Sequence, residues 1–106
     1  MFTDYDVIII GSGCAGLAAG IYSARGGYET CILEKGSMGG EMGSRQLIEN
    51  YPGFANGIMG PELAGQMLDQ AGNAGAEIEI GEVTAIQDKG NYKIVKTTDG
   101  SYTCKG

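Results

Sequence analysis

The sequence predicts an α/β protein in which a parallel sheet alternates with helices and an antiparallel β-meander follows. Three observations lead there. A short, wholly apolar, β-branched run, Val7-Ile8-Ile9-Ile10, opens the chain and closes on glycine, as a strand buried on both faces requires. A largely apolar helical segment and a second short strand follow within about 30 residues, the length of one βαβ unit. Near the C-terminus, three short β-prone runs are separated by turn residues.

In order, Tyr5–Ile10 is the first strand, and Cys14–Arg25 is a helix marked by Ala15, Leu17, Ala18, Ile21, Tyr22 and Ala24, stopped by Gly26-Gly27. Thr30–Leu33 is the second strand. The glycine-rich stretch Gly36–Gly43 and an irregular segment through Asn56 make a loop too long for a simple connector, and loops of that length usually carry function. Pro61 suits the first turn of a helix with Leu63, Met67, Leu68 and Ala71 on one face, ended by Gly72 and Gly75. Ala76–Ile80 alternates as a third strand. Val83–Gln87, Tyr92–Thr97 and Ser101–Cys104 form the meander, with turns at Lys89-Gly90-Asn91 and Asp99-Gly100.

Composition narrows the function. The chain has 106 residues, one domain's worth, with 7 Lys+Arg against 13 Asp+Glu and a net charge of −6. That balance argues against nucleic acid, whose phosphates need a basic face. Without histidine, Ser-His and Cys-His catalytic pairs and most zinc sites are excluded. Cys14, Cys31 and Cys104 are widely spaced and contain no C-x-x-C pair, unlike a secreted disulfide framework. No apolar run approaches the ~20 residues of a membrane span, and the acidic N-terminus is wrong for a signal peptide. A cytoplasmic location is the expectation. The 20 glycines are far above the usual proportion of about 7%, so they are expected to serve defined turns.

Three of those glycines lie in the segment that carries the chemistry. Gly11-Ser12-Gly13-Cys14-Ala15-Gly16 is a G-x-G-x-x-G placed between a buried strand and a helix, the context that distinguishes a dinucleotide fingerprint from a chance match. Gly11 permits the tight turn, Gly13 lets the backbone approach a pyrophosphate, and Gly16 lets the helix pack closely on the strand. The pyrophosphate meets free N–H groups at the positive end of the helix dipole. Glu34 ends the second strand, 18 residues beyond Gly16, where the fingerprint places an acid on the adenosine ribose. A carboxylate there repels a 2′-phosphate and favours FAD or NAD over NADP. The fold expected is therefore a Rossmann-like doubly wound parallel sheet with an inserted or appended antiparallel meander.

Beyond the fingerprint, the chain resembles the N-terminal FAD-binding portion of thioredoxin reductases, within the pyridine nucleotide-disulfide oxidoreductases. The resemblance rests on Tyr5-Asp6-Val7-Ile8-Ile9-Ile10-Gly11-Ser12-Gly13 with Ala15-Gly16, on Gly39-Gly40, and on Glu49-Asn50-Tyr51-Pro52-Gly53-Phe54. Gly60-Pro61-Glu62-Leu63 and Gly100-Ser101-Tyr102-Thr103-Cys104 complete it, in the family's order over essentially the whole chain. It implies FAD as cofactor, with residues 11–16 at the pyrophosphate and Glu34-Lys35 at the adenosine. The loop from Gly36 through Gly39 and Gly40 to Glu41 would follow the ribityl chain, Asn50 would lie near the flavin and the Val83 backbone near the adenine. Cys14 stands where the family usually has Pro, and Glu41 where Gln is usual. A charge at Glu41 near a reduced, anionic flavin is expected to lower its potential or weaken its binding.

A thiol in the first turn of a helix can be reactive, but Cys14 reads preferentially as a small residue filling space beside the phosphate loop. Cys31 reads as core, and Arg25 and Arg45 as solvated. The family resemblance further implies that the doubly wound sheet is incomplete, and it implies NADPH, a C-x-x-C dithiol and a thioredoxin-like partner for the complete enzyme. No NADPH domain or dithiol is encoded in residues 1–106, so these residues are not expected to be competent alone. The expected partner is the remainder of the reductase or a second chain, with self-association through the exposed first strand as a further expectation. Alternative readings are a stand-alone nucleotide-binding or electron-transfer module, and the FAD segment of a different oxidase or dehydrogenase.

Overall fold

The computed structural model describes residues 2–106. β1 (Val7–Ile10), β2 (Thr30–Glu34) and β5 (Glu77–Ile80) form a parallel sheet in the order β1-β2-β5. Helices α1 (Cys14–Arg25) and α2 (Gly60–Ala74) supply the two crossovers. They pack side by side on one face of the sheet, where Leu17, Ile21, Ile32, Leu63, Met67 and Ala71 are buried together. Alternation along β2 decides the layering. Ile32 faces the helices, while Cys31 and Leu33 face the antiparallel meander of β6 (Val83–Asp88), β7 (Lys93–Thr97) and β8 (Gly100–Cys104). Val95 and Cys104 complete that second cluster. The molecule is thus three layers: helices, parallel sheet, meander.

β2 is central because its pattern demands it: Thr30 through Leu33 are all buried, against partial exposure along β1 and β5. Thr30, the polar member, satisfies its hydroxyl with the Tyr28 carbonyl at 3.0 Å and the Ser23 hydroxyl at 2.7 Å. On the meander face of β5, Glu77 and Glu79 accept hydrogen bonds from the Tyr5 and Tyr102 hydroxyls. The Glu77 carboxylate pushes the Tyr5 hydroxyl well above the ordinary phenol range.

Several local expectations shift. Tyr5 makes an isolated parallel bridge to Cys104 and does not extend β1. Gly72 does not end α2; the helix continues to Ala74 and stops at Gly75, whose φ of 108° only glycine adopts freely. A lone helical glycine weakens the helix without breaking it. The last hairpin turns on Thr98-Asp99, and Gly100 already pairs with Thr97 in β8. The long loop is more regular than its glycines suggested. It contains a 3₁₀ helix (Gly40–Ser44) and a small antiparallel ladder of β3 (Leu47–Ile48) with β4 (Ile58–Met59).

The third strand lies beyond the second, giving the order 3-2-1 that a Rossmann-like sheet requires. On the outer side of β1, Ile8 N–H donates to the Gly106 carbonyl at 2.9 Å, and the Lys105 and Gly106 N–H groups donate to the Asp6 carbonyl. A parallel ladder has therefore begun on that edge. Ile10, at its end, is 51% exposed.

Candidate functional site

β1 delivers the chain into a turn at Gly11, whose φ of 100° gives the reversal into α1. The helix starts at Cys14 with Gly13 as N-cap, and its first internal bond runs from Leu17 N–H to the Gly13 carbonyl at 2.9 Å. No side chain caps this end, and the first turn contains no acid. The N–H groups of Cys14, Ala15 and Gly16 thus have neither helical nor side-chain acceptors, which is the arrangement that attracts an anion. They open onto a cavity of about 680 Å³ lined by Gly11, Gly13, Cys14, Ala15 and Gly16 from this turn.

The fingerprint glycines have different reasons. A Cβ on Gly16 would sit 2.0 Å from the Gly11 carbonyl oxygen, so helix and turn touch there through backbone alone. A Cβ on Gly13 would meet nothing within 4 Å; the space it would occupy belongs to the cavity mouth. The first is a packing constraint, while the second keeps the approach to the amides open. A diphosphate fits that opening, because the groups around it are unpartnered donors at a positive helix end.

Behind the turn lies a hydrogen-bond network. Glu34 Oε1 accepts from Ser12 N–H at 2.9 Å and from the Ser12 hydroxyl at 2.7 Å, and Oε2 accepts from Gly36 N–H at 2.9 Å. The Ser12 oxygen in turn accepts from Gly39 N–H at 3.0 Å. These donors hold the Glu34 carboxyl below the usual carboxylate range, led by the Ser12 amide. Ser12 is fully buried, so it shapes the turn from inside.

Gly39 and Gly40 wedge the loop into place. A Cβ on Gly39 would lie 2.6 Å from the Ala64 Cβ on α2, and one on Gly40 would lie 3.0 Å from the Gly13 Cα. Both have positive φ, at 91° and 59°.

The candidate residues accordingly divide. Gly11, Gly13, Cys14, Ala15, Gly16, Glu41 and Asn50 line the cavity together. Ser12, Glu34, Gly36, Gly39 and Gly40 stand behind or beside the turn and brace it. Lys35 follows Glu34 at the end of β2, outside the cavity lining. Val83 opens β6 two residues after Gly81, whose N–H donates to the Glu34 carbonyl at 2.9 Å, so it lies by the C-terminal end of β2 and also outside the lining.

The cavity also takes in residues that sequence reasoning had not assigned to it. Ile10, Met42, Leu47, Ile48 and Leu63 give it an apolar wall, and Arg45 and Glu49 add charge. Tyr51 contributes to the wall while its ring packs against Phe54, with centroids 6.1 Å apart. Ile10 and Leu63 arrive with β1 and α2, whereas no spacing in the sequence marks Met42, Arg45, Leu47, Ile48 or Glu49; the 3₁₀ turn and the β3–β4 ladder fold those in. Arg45 pairs with Glu41 at 3.8 Å, so the charge expected of Glu41 is partly offset by its neighbour.

Of the three cysteines, Cys14 is partly exposed at the cavity, whereas Cys31 and Cys104 are buried. Burial raises both buried thiols, Cys31 to about 11, which keeps them protonated and inert at neutral pH. Among the described residues no group of His, Cys, Asp or Glu is arranged to hold a metal ion, and no helix is long and apolar enough to cross a membrane.

A three-stranded parallel βαβαβ core, with a glycine turn presenting uncapped amides to a cavity at the strand ends, defines the fold class as Rossmann-like. The family model "Pyridine nucleotide-disulphide oxidoreductase" matches residues 5–105. Thioredoxin reductase from Bacillus subtilis is 42% identical over 101 residues, covering 95% of this chain and 32% of that protein. That of Listeria monocytogenes is 44% identical over 101 residues, with 95% and 31% covered. Among solved structures, Lactococcus lactis thioredoxin reductase superposes with a TM-score of 0.90 at 46% identity, covering 96% of this chain and 33% of that one. The thioredoxin reductase of T. acidophilum superposes equally well, with a TM-score of 0.90 at 39% identity, covering 98% and 34%. The chain belongs to the pyridine nucleotide-disulphide oxidoreductase family, and these relatives within it are thioredoxin reductases. It spans about a third of the length of the curated relatives it matches.

Proposed function

We propose that this chain supplies the nucleotide-holding part of an FAD site in a thioredoxin-reductase-like flavoprotein. One observation carries the reading: the uncapped, acid-free start of α1 opens at Gly13 onto a cavity of a size suited to a small-molecule cofactor. The Cys14, Ala15 and Gly16 amides would hold the diphosphate. Glu34, Lys35 and the Val83 backbone would serve the adenosine side; Oε2 of Glu34 retains a lone pair beside its bond from Gly36, which supports that role. Asn50, Tyr51 and the apolar wall would receive the flavin end, with Gly36, Gly39, Gly40 and Glu41 along the route between.

When bound, FAD supplies the two-electron chemistry that connects NADPH with a disulfide, the activity we assign to the whole protein in the cytoplasm. The chain's own residues bind and orient; none is assigned a catalytic role. The rest of the reductase, or a second chain, would contribute the nicotinamide and dithiol sites, and a thioredoxin-like protein would take the electrons.

Calorimetric titration of the chain with ADP and with FAD tests the reading. Binding of ADP at micromolar to millimolar concentration is expected, together with slower alkylation of Cys14 when ADP is present, since that thiol lies at the diphosphate site. No heat with either ligand and no protection of Cys14 would remove the proposal.

A further inference from the structure

Among the described residues lining the cavity Arg45 is the sole cation, against two acids, Glu41 and Glu49. In a chain with a formal charge of −6 that placement matters, because an anionic ligand would otherwise enter a wholly acidic mouth. The main chain at Arg45 is fixed. Its N–H donates to the Met42 carbonyl at 3.3 Å, and its carbonyl oxygen packs so closely on α2 that a Cβ on Gly60 would lie 2.3 Å away. The guanidinium, by contrast, is held only by Glu41, at 3.8 Å, with the two side chains 65% and 91% exposed. An exposed i,i+4 pair of that length is weak and cheaply exchanged.

We infer that Arg45 is a binding residue for the ligand's diphosphate and that Glu41 competes with the diphosphate for it. Glu41 holds the guanidinium at the cavity mouth in the free protein, and the diphosphate, a stronger and potentially bidentate acceptor, takes it over on binding. This inference rests on the dinucleotide reading above and adds to it a charge switch that the glycine turn does not itself provide.

Titrations of the full chain with ADP and with adenosine, at low and at high salt, test it. Arg45→Gln is expected to weaken ADP binding roughly fivefold at low salt and to leave adenosine unchanged, with the ADP effect shrinking as salt screens the charge. Arg45→Lys should restore only part of the loss, as charge without the bidentate fork, and Glu41→Gln should tighten ADP about twofold by releasing Arg45. ADP affinity indifferent to Arg45→Gln in a chain that binds ADP would overturn the inference and leave the site reading intact. Equal weakening of ADP and adenosine would also overturn it, as the mark of a structural role. Failure of the unaltered chain to bind ADP would instead bring down the site reading and this inference with it.

Discussion

At the scale of single residues, the site depends on groups that are absent as much as on groups present. Gly16 and Gly20 both face the sheet from α1, but the atoms they would meet differ. A Cβ on Gly16 strikes the Gly11 carbonyl oxygen at 2.0 Å, which is backbone, whereas one on Gly20 strikes the tip of Ile32 at 2.5 Å. Gly16→Ala is therefore expected to cost about 3 kcal/mol and to abolish ADP binding by displacing the turn. Gly20→Ala should cost under about 1 kcal/mol, because Ile32 can yield and alanine gains helix propensity. Urea denaturation of the two variants measures the contrast; similar losses would mean that the sheet, not the turn, sets the cost. Glu34 is the matching case for a group present. Its folded-state carboxyl lies below its ordinary value of 4.5, so its stabilisation is complete above that pH and is lost as pH falls through the lowered value. Glu34→Gln should destabilise the chain by about 2 kcal/mol near neutrality, since a single amide oxygen cannot accept every bond. The two proteins should converge in stability only as pH falls through the lowered Glu34 value. A gap that persists to the acid end of the folded range would show that the network is not ionic.

At the scale of elements, the decisive piece is the 3₁₀ helix, because it ties α2 to the phosphate turn. Gly39 lies against Ala64 and Gly40 against Gly13, so α2 and the βα turn are set by one loop. Gly40→Ala places a methyl 3.0 Å from the Gly13 Cα, both of them backbone-bound, at a φ of 59° that alanine tolerates poorly. The expected result is a loss of about 1–2 kcal/mol with ADP affinity falling at least tenfold, read by thermal melts and calorimetry together. Undiminished affinity in a destabilised variant would separate the loop from the site. The sequence marks the glycines of this loop as turn positions, but it does not show the 3₁₀ turn. Its hydrogen bonds are local and weak, and it persists because Met42 is buried against α2 and the β3–β4 ladder closes behind it.

Over the whole molecule, the sheet is asymmetric at its edges. β5 carries Glu77 and Glu79 on its meander face, and charged side chains discourage further strand pairing. β1 is entirely apolar, and beyond the short ladder to Lys105 and Gly106 its outer edge has no partner among the described residues. The 106-residue polypeptide is therefore expected to associate with concentration in sedimentation velocity, through parallel pairing or exchange at that edge. Substituting Ile10→Lys, at the open end of β1, should shift it toward monomer by adding charge to the edge. A monodisperse, thermally robust monomer without the substitution would count against the open-edge argument.

What the sequence determined alone was everything set by near neighbours in the chain. The βαβ order, the glycine turn and its opening of α1, the helix face of α2 and the meander all follow from periodicity and from residues with restricted or unusual backbone freedom. Such signals operate over a few residues and survive in any context. The tertiary structure alone decided which polar groups face the cavity and which face the protein. Glu34 and Ser12 turn inward to brace the loop, while Arg45, Leu47 and Tyr51 come to the cavity from a segment with no periodic pattern. A side chain's partner depends on which distant backbone is folded beside it, and nothing within a few residues of Glu34 or Arg45 encodes that neighbour.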